Sequence, residues 1–187
     1  NIAYAGCAPP RQQADVTAAH LARYGVNAVR LHKFLGPDGW QGFADRNDAT
    51  QFVPAGLDRF DYFCSKLAVN GIYYGLSHTF KFIVEPGNRD RLLAYDEIQN
   101  NLKGDTYAFI NLAEDVQDLM IEMVVNLLKH RNPHTGKTYA EDPALNYIEL
   151  QNEDDIFFYT TANVINACPT YAKHFRERCS DWLKTKY

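Results

Sequence analysis

The sequence predicts an α/β chain: parallel βαβ units forming the first four strands and helices of a (β/α)8 barrel, a half barrel. Three observations carry that prediction. Four short β-rich runs each feed a loop and then an amphipathic helical stretch, the order that builds right-handed crossovers over a parallel sheet. Polar residues gather where those runs end, which is where a barrel places its chemistry. No glycine-rich phosphate loop follows the first run, so an open nucleotide-binding sheet loses support.

The elements follow in order. A weak strand at Ile2-Ala3-Tyr4 precedes a loop with Pro9-Pro10 and a helix near residues 15–24, stopped by Gly25. In the run Val26 to His32, Val29 and Leu31 take one face while Ala28, Arg30 and His32 take the other, the alternation of a strand. A long loop holding Trp40 leads to a helix over residues 57–70, with Leu57, Phe60, Cys64 and Leu67 as its apolar stripe and Gly71 at its end. The third strand, residues 72–77, reaches His78. The connection from Thr79 to Asn111 has room for a short helix near residues 89–99, and connections of that length carry structure or function of their own. A helix over residues 112–130 turns Val116, Leu119, Met120, Met123, Val124, Leu127 and Leu128 inward. The fourth strand spans residues 145–151, and a last helix over 171–186 carries Phe175, Cys179, Trp182 and Leu183 as its stripe.

Composition bounds the partners. Of 187 residues 46% are hydrophobic and 22% charged, ordinary for a globular chain. No apolar run reaches the roughly 18 residues a membrane-spanning helix needs. Nineteen Lys and Arg against 23 Asp and Glu leave a net charge of -4, which argues against a nucleic-acid partner. The four cysteines have no metal-ligand spacing; Cys64 reads as a buried hydrophobe, and pairing of Cys168 with Cys179 stays open. The chain begins at Asn1, as a processed form or an excised piece would.

The sharpest chemical signal is Glu149-Leu150-Gln151-Asn152-Glu153. Ile148 and Leu150 claim the helix-packed face, so Glu149, Gln151 and Glu153 share the other. A carboxyl at a barrel mouth beside an amide suits a glycosidase acid/base, provided burial or a neighbouring carboxylate raises its pKa. Against this stands a plain solvated acidic cluster, since Glu153, Asp154 and Asp155 are consecutive. Trp40 is a candidate for stacking on a sugar ring, with Tyr159 a weaker one.

Three segments resemble the clan of retaining (β/α)8 glycoside hydrolases, especially its cellulase-like members. They are Gly25 to His32; Leu57 to Tyr62 running on to Asn70-Gly71-Ile72-Tyr73; and Asn132 to Gly136 continuing through Asp142-Pro143-Ala144-Leu145 to Glu153. The ending Asp181 to Tyr187 is similar to the fourth helix of such proteins. The resemblance implies Glu153 as acid/base and Asn152 as the amide on the sugar 2-hydroxyl. It implies Arg30 as the cation that keeps the nucleophile ionised, a role compatible with an internal salt bridge to Glu149, and His32 and His78 as linings of the inner subsites. No metal or organic cofactor is implied.

One departure matters. A retaining enzyme needs a second carboxylate about 5 to 5.5 Å from the acid/base; in this clan it ends the seventh strand, and the sequence stops after the fourth helix. Glu85, Glu97, Glu114 and Glu122 all lie in loop or helix positions. Residues 1–187 are therefore expected to be the N-terminal half of a catalytic barrel, with exposed edge strands. The other half would come from the same gene, a second chain or a second copy, and the isolated piece would be inactive. The expected substrate is a β-linked polysaccharide, β-glucan ahead of mannan and galactan, met outside the cell or in a periplasm. The rivals are a non-catalytic carbohydrate-binding or scaffolding barrel, and a metal-dependent hydrolase using His32, His78 and a carboxylate; the second lacks the paired first-strand histidines such sites use.

Overall fold

A computed structural model describes residues 1–78, 81–158 and 160–187. Its sheet has four parallel strands in the order β1 (Ile2–Ala3), β2 (Ala28–His32), β4 (Tyr73–Ser77) and β5 (Leu145–Glu149). A fifth extended segment, β3 (Leu35–Gly39), lies outside the sheet and folds back on Gly42 and Ala44. It lies in the segment expected to be a loop, because backbone pairing within a glycine-rich turn leaves no alternating apolar pattern in the sequence.

Two helices that begin earlier than periodicity suggests do so at a proline: α1 (Arg11–Arg23) follows Pro10, and α2 (Pro54–Val69) starts on Pro54, where a missing N–H costs nothing. Both end at a glycine in left-handed conformation, Gly25 at φ 74 and Gly71 at φ 73. There Val26 N–H and Ile72 N–H reach back to the carbonyls of Leu21 and Leu67, closing each helix and launching the next strand. In the third connection, a 3-10 turn over Pro86–Arg91 and α3 (Tyr95–Leu102) replace the helix expected near residues 89–99. After α4 (Glu114–Lys129) and β5 comes a short helix the sequence reading missed, α5 (Thr161–Asn166), and then α6 (Pro169–Lys186).

Val29, Leu31, Ile72, Tyr74 and Leu76 bury the helix-facing side of the sheet against Phe60, Phe63, Cys64 and Leu67 of α2 and the inner face of α4. A polar knot fastens this layer. Asp61, buried in α2, accepts hydrogen bonds from Tyr139 Oη at 2.7 Å and His130 Nε2 at 2.7 Å, and its carbonyl accepts from Asn132 Nδ2 at 2.9 Å. Burial raises the Asp61 carboxyl pKa, while these donors work against the rise.

Two expectations about the last elements are corrected. β5 ends at Glu149, and Leu150, although on the α4 side, is 71% exposed rather than packed. With Ile121, Val124, Val125 and Leu128 it lines an open apolar groove. Of the α6 stripe only Phe175 is buried, through Phe109; Cys179, Trp182 and Leu183 are exposed. All four cysteines are free thiols, with Cys168 buried and Cys179 exposed, so the pair does not form a disulfide.

Candidate active site at the strand tips

Strand register assembles the site. On the face opposite the helices, Arg30 pairs with Gly75 and Gly75 with Tyr147; one row nearer the tips, His32 pairs with Ser77 and Ser77 with Glu149. A register shift between Tyr74 and Gly75 makes this possible. It puts Leu145 beside Tyr74 on the helix side yet turns Tyr147 inward, where strict alternation would give both residues one face. The Tyr147 ring lies across Gly75 so closely that a Cβ there would sit 2.1 Å from it.

Arg30 is the hub. Its Nε and Nη2 donate to Glu149 Oε2 at 3.0 and 2.5 Å, and Nη2 donates also to Ser77 Oγ at 3.1 Å and Asn152 Oδ1 at 2.6 Å. The salt bridge anticipated as the structural role of Arg30 is therefore formed. Burial pushes the Glu149 carboxyl upward, but the Ser77 hydroxyl and the Arg30 guanidinium outweigh it and hold the group below its ordinary value.

His32 is buried and its Nδ1 shares a 2.6 Å hydrogen bond with Ser77 Oγ. Burial first, then the charges of Arg30 and Lys33, lowers its pKa; the carboxylates of Glu149 and Glu153 act in the opposite sense. Glu153 thus lies within electrostatic reach of the second strand's tip. Its own side chain is exposed, its backbone sits at φ 51, and its carbonyl accepts a hydrogen bond from Tyr107 Oη.

His78 lies at the tip of β4 with its ring only 2% exposed. Burial lowers its pKa to about 4, so it is neutral at pH 7. Among the described residues, the buried side-chain nitrogens and oxygens without a hydrogen-bond partner are His78 Nδ1, His78 Nε2 and Asn152 Nδ2. Buried polar atoms are nearly always paired, and here the unpaired ones all belong to the tips of β4 and β5. Trp40 lies apart from this cluster on the β3 turn, 67% exposed, and Tyr159 falls outside the described residues.

Sequence reasoning missed Ser77, which joins Arg30 to His32, and Asp154. Asp154 is buried behind Glu153; its Oδ1 accepts from Ala108 N–H at 2.7 Å and its carbonyl from Asn111 Nδ2 at 3.0 Å. Burial raises its pKa to about 6. Ser77 had a signal, a hydroxyl on the inward face beside His78; Asp154 had none, since the long-range partners that bury it leave no local pattern. No group of three or more His, Cys, Asp and Glu able to hold a metal ion occurs among the described residues.

No protein-family model matches the chain, and no curated protein matches it in sequence. Solved structures do. The endo-β-1,4-mannanase of Thermotoga petrophila aligns over 90% of this chain and 38% of its own at TM-score 0.54 and 17% identity. A family 5 mannosidase of Rhizomucor miehei aligns over 91% and 47% at TM-score 0.54 and 12% identity. An endo-1,4-β-mannanase of the same fungus aligns over 78% and 40% at TM-score 0.50 and 21% identity. The chain spans less than half the length of each of these structures. At these identities the likeness establishes the fold: this chain has the architecture of half of a (β/α)8 barrel.

Proposed function

We propose that this chain is the acid/base-bearing half of a glycoside hydrolase barrel that cleaves a β-linked polysaccharide. The observation that carries the reading is the placement of the unpaired buried atoms. Asn152 Nδ2 keeps hydrogen-bonding capacity unspent at one rim, and the His78 ring has only the Glu149 backbone within reach, beside the Arg30 hub and the exposed Glu153 carboxyl; a ligand rich in hydroxyls spends that capacity. In this reading Glu153 protonates the leaving oxygen, Asn152 Nδ2 holds the 2-hydroxyl, and His32 and His78 flank the inner subsite. The nucleophile comes from strands that continue the sheet beyond its open β1 and β5 edges, about 5 to 5.5 Å from Glu153 if configuration is retained. Those strands also cover Glu153, supplying the burial a general acid needs. Since two of the matched structures are mannanases, β-mannan stands beside β-glucan as the polymer to test. An extracellular or periplasmic location goes with such a substrate.

Glu153→Gln in the complete protein tests this. Hydrolysis of the polysaccharide should fall by about 10²- to 10⁴-fold, the contribution of one general acid. Aryl glycosides whose leaving group needs no proton should keep their glycosylation step, and binding should persist. Hydrolysis within tenfold of the parent would remove Glu153 from the reaction. The non-catalytic reading draws on the exposure of Glu153; it is upheld if the complete protein binds these polymers and hydrolyses none.

A further inference from the structure

We infer that the cleft between the β3 turn and the connection after β4 is a second, distal saccharide subsite, formed by Trp40, Gln41, Arg46, Glu85, Gln99 and Lys103. The inference rests on the proposed glycosidase reading for the identity of its ligand, and on the following geometry for its existence.

The cleft encloses about 440 Å³, within the size range of sites for small molecules. Both of its walls are strand-to-helix connections, one after β2 and one after β4, so it opens at the same end of the sheet as Glu153. The β3 wall starts at the rim itself, where Leu35 N–H donates to the His78 carbonyl at 3.0 Å. Three strand spacings of about 4.8 Å separate β1, whose following 3-10 turn (Tyr4–Cys7) anchors Trp40, from β5. A ligand reaching from Trp40 to Glu153 must therefore be longer than a single sugar, as a polymer is.

The indole is held ready. Tyr4 packs against it at 5.0 Å with a 51° tilt, and its carbonyl accepts Ala5 N–H at 3.0 Å. Held in this way it is still 67% exposed, at the mouth of the cleft. Arg46 is fixed by donating from Nε and Nη2 to the Asp38 carbonyl at 3.0 and 2.5 Å. Such fixing removes part of the ordering cost of binding. By contrast, the side chains of Gln41, Gln99 and Lys103 make no hydrogen bond or salt bridge among the described residues.

Charge selects the ligand class. Arg46 and Lys103 line the cleft with Glu85, and the field of Asp45 reaches Glu85. A cleft whose charges are of both signs gives an anion or a cation little reason to leave water. An aromatic plane beside amides that both donate and accept suits a neutral ring with apolar C–H faces and equatorial hydroxyls.

The test uses tryptophan fluorescence, because the chain has two tryptophans and Trp182 lies on exposed α6. In a Trp182→Phe background of the complete protein, mannohexaose and cellohexaose are titrated against Trp40 emission, with hexagalacturonate as the anionic comparison. At least one neutral hexasaccharide should shift the emission saturably, and hexagalacturonate should bind at least about tenfold more weakly. Calorimetry should show Trp40→Ala weakening the neutral ligand at least about tenfold. Gln99→Ala and Lys103→Ala should each weaken it about threefold to tenfold, the worth of one net hydrogen bond. Unchanged Trp40 emission, equal binding of the anion, or parental affinity in Gln99→Ala and Lys103→Ala would each overturn the subsite. The two readings fail separately. Loss of hydrolysis in Glu153→Gln with parental affinity in Trp40→Ala removes only the subsite. A Trp40-dependent ligand with full hydrolysis in Glu153→Gln removes only the acid/base.

Discussion

Replacing Arg30 with methionine tests the hub of the candidate site as a structural fact, independent of any activity. Arg30 joins β2 to residues 119 and 122 positions away in sequence, through Glu149 and Asn152. The change removes four hydrogen bonds, two of them to a carboxylate, and leaves Glu149 without its cation. Breaking a fully buried pair costs about 3–5 kcal/mol, and an exposed one about 0–1 kcal/mol. The Arg30 and Glu149 side chains are 29% and 31% exposed, so solvent screens part of the interaction and the expected loss is about 2 kcal/mol at pH 7. Urea unfolding measures it, with Glu149→Gln and the double variant completing a cycle whose coupling should exceed about 1 kcal/mol. The pH dependence has a definite sign. Glu149 has a depressed folded pKa, so its contribution is present above the unfolded value of about 4.3 and vanishes as pH falls through the folded one. The gap between parent and Arg30→Met should therefore narrow below pH 4. Equal stability at pH 7, or a gap that widens in acid, would refute the ion pair.

Other outcomes follow from burial. Tyr139→Phe leaves one Asp61 oxygen without its donor in a buried site and should cost about 1–3 kcal/mol by urea unfolding. Under native conditions iodoacetamide should modify Cys179 alone, read by mass spectrometry, because Cys7, Cys64 and Cys168 are buried and burial raises their thiol pKa values. Asp154→Asn should stabilise the protein at pH 7. A carboxyl whose folded pKa is raised to about 6 contributes stability below the unfolded value of about 3.9 and loses it as pH rises through 6. The amide keeps an acceptor for Ala108 N–H, and the gain, about 2 kcal/mol at neutral pH, should fade below pH 4.

Much of this was legible in local sequence. The alternation of Val29 and Leu31 against Arg30 and His32 gave the strand and both its faces, and Gly25 and Gly71 gave two helix ends. The Asn152-Glu153 pair could be placed because it follows a short run reading as a strand. What stayed hidden depends on distant partners. Leu150 looked like a core residue because sequence shows its period but not where the ladder stops. The α6 stripe predicts a buried face, yet Cys179, Trp182 and Leu183 stay exposed. The bulge beside Gly75 puts Leu145 on the face opposite Tyr147 and Glu149, and a two-residue period cannot reveal a register shift.

The adjacent carboxyls of Glu153 and Asp154 show how such a loop divides its labour. Asp154 turns inward, commits Oδ1 to Ala108 N–H, and is the group whose pKa rises to about 6. Its oxygen is held by the backbone of the connection before α4. Ala108 itself sits at φ 71 and Glu153 at φ 51, conformations that cost a non-glycine residue energy. Asp154, Asn111 and Tyr107 bind these two turns to each other through Ala108 N–H and the carbonyls of residues 153 and 154. A buried carboxylate that lowers stability at pH 7 yet locks two strained turns is accounted for if the loop must present its neighbour in one fixed direction. Glu153 is that neighbour: its carboxyl makes no hydrogen bond or salt bridge among the described residues, while Asp154 and Tyr107 hold the backbone around it.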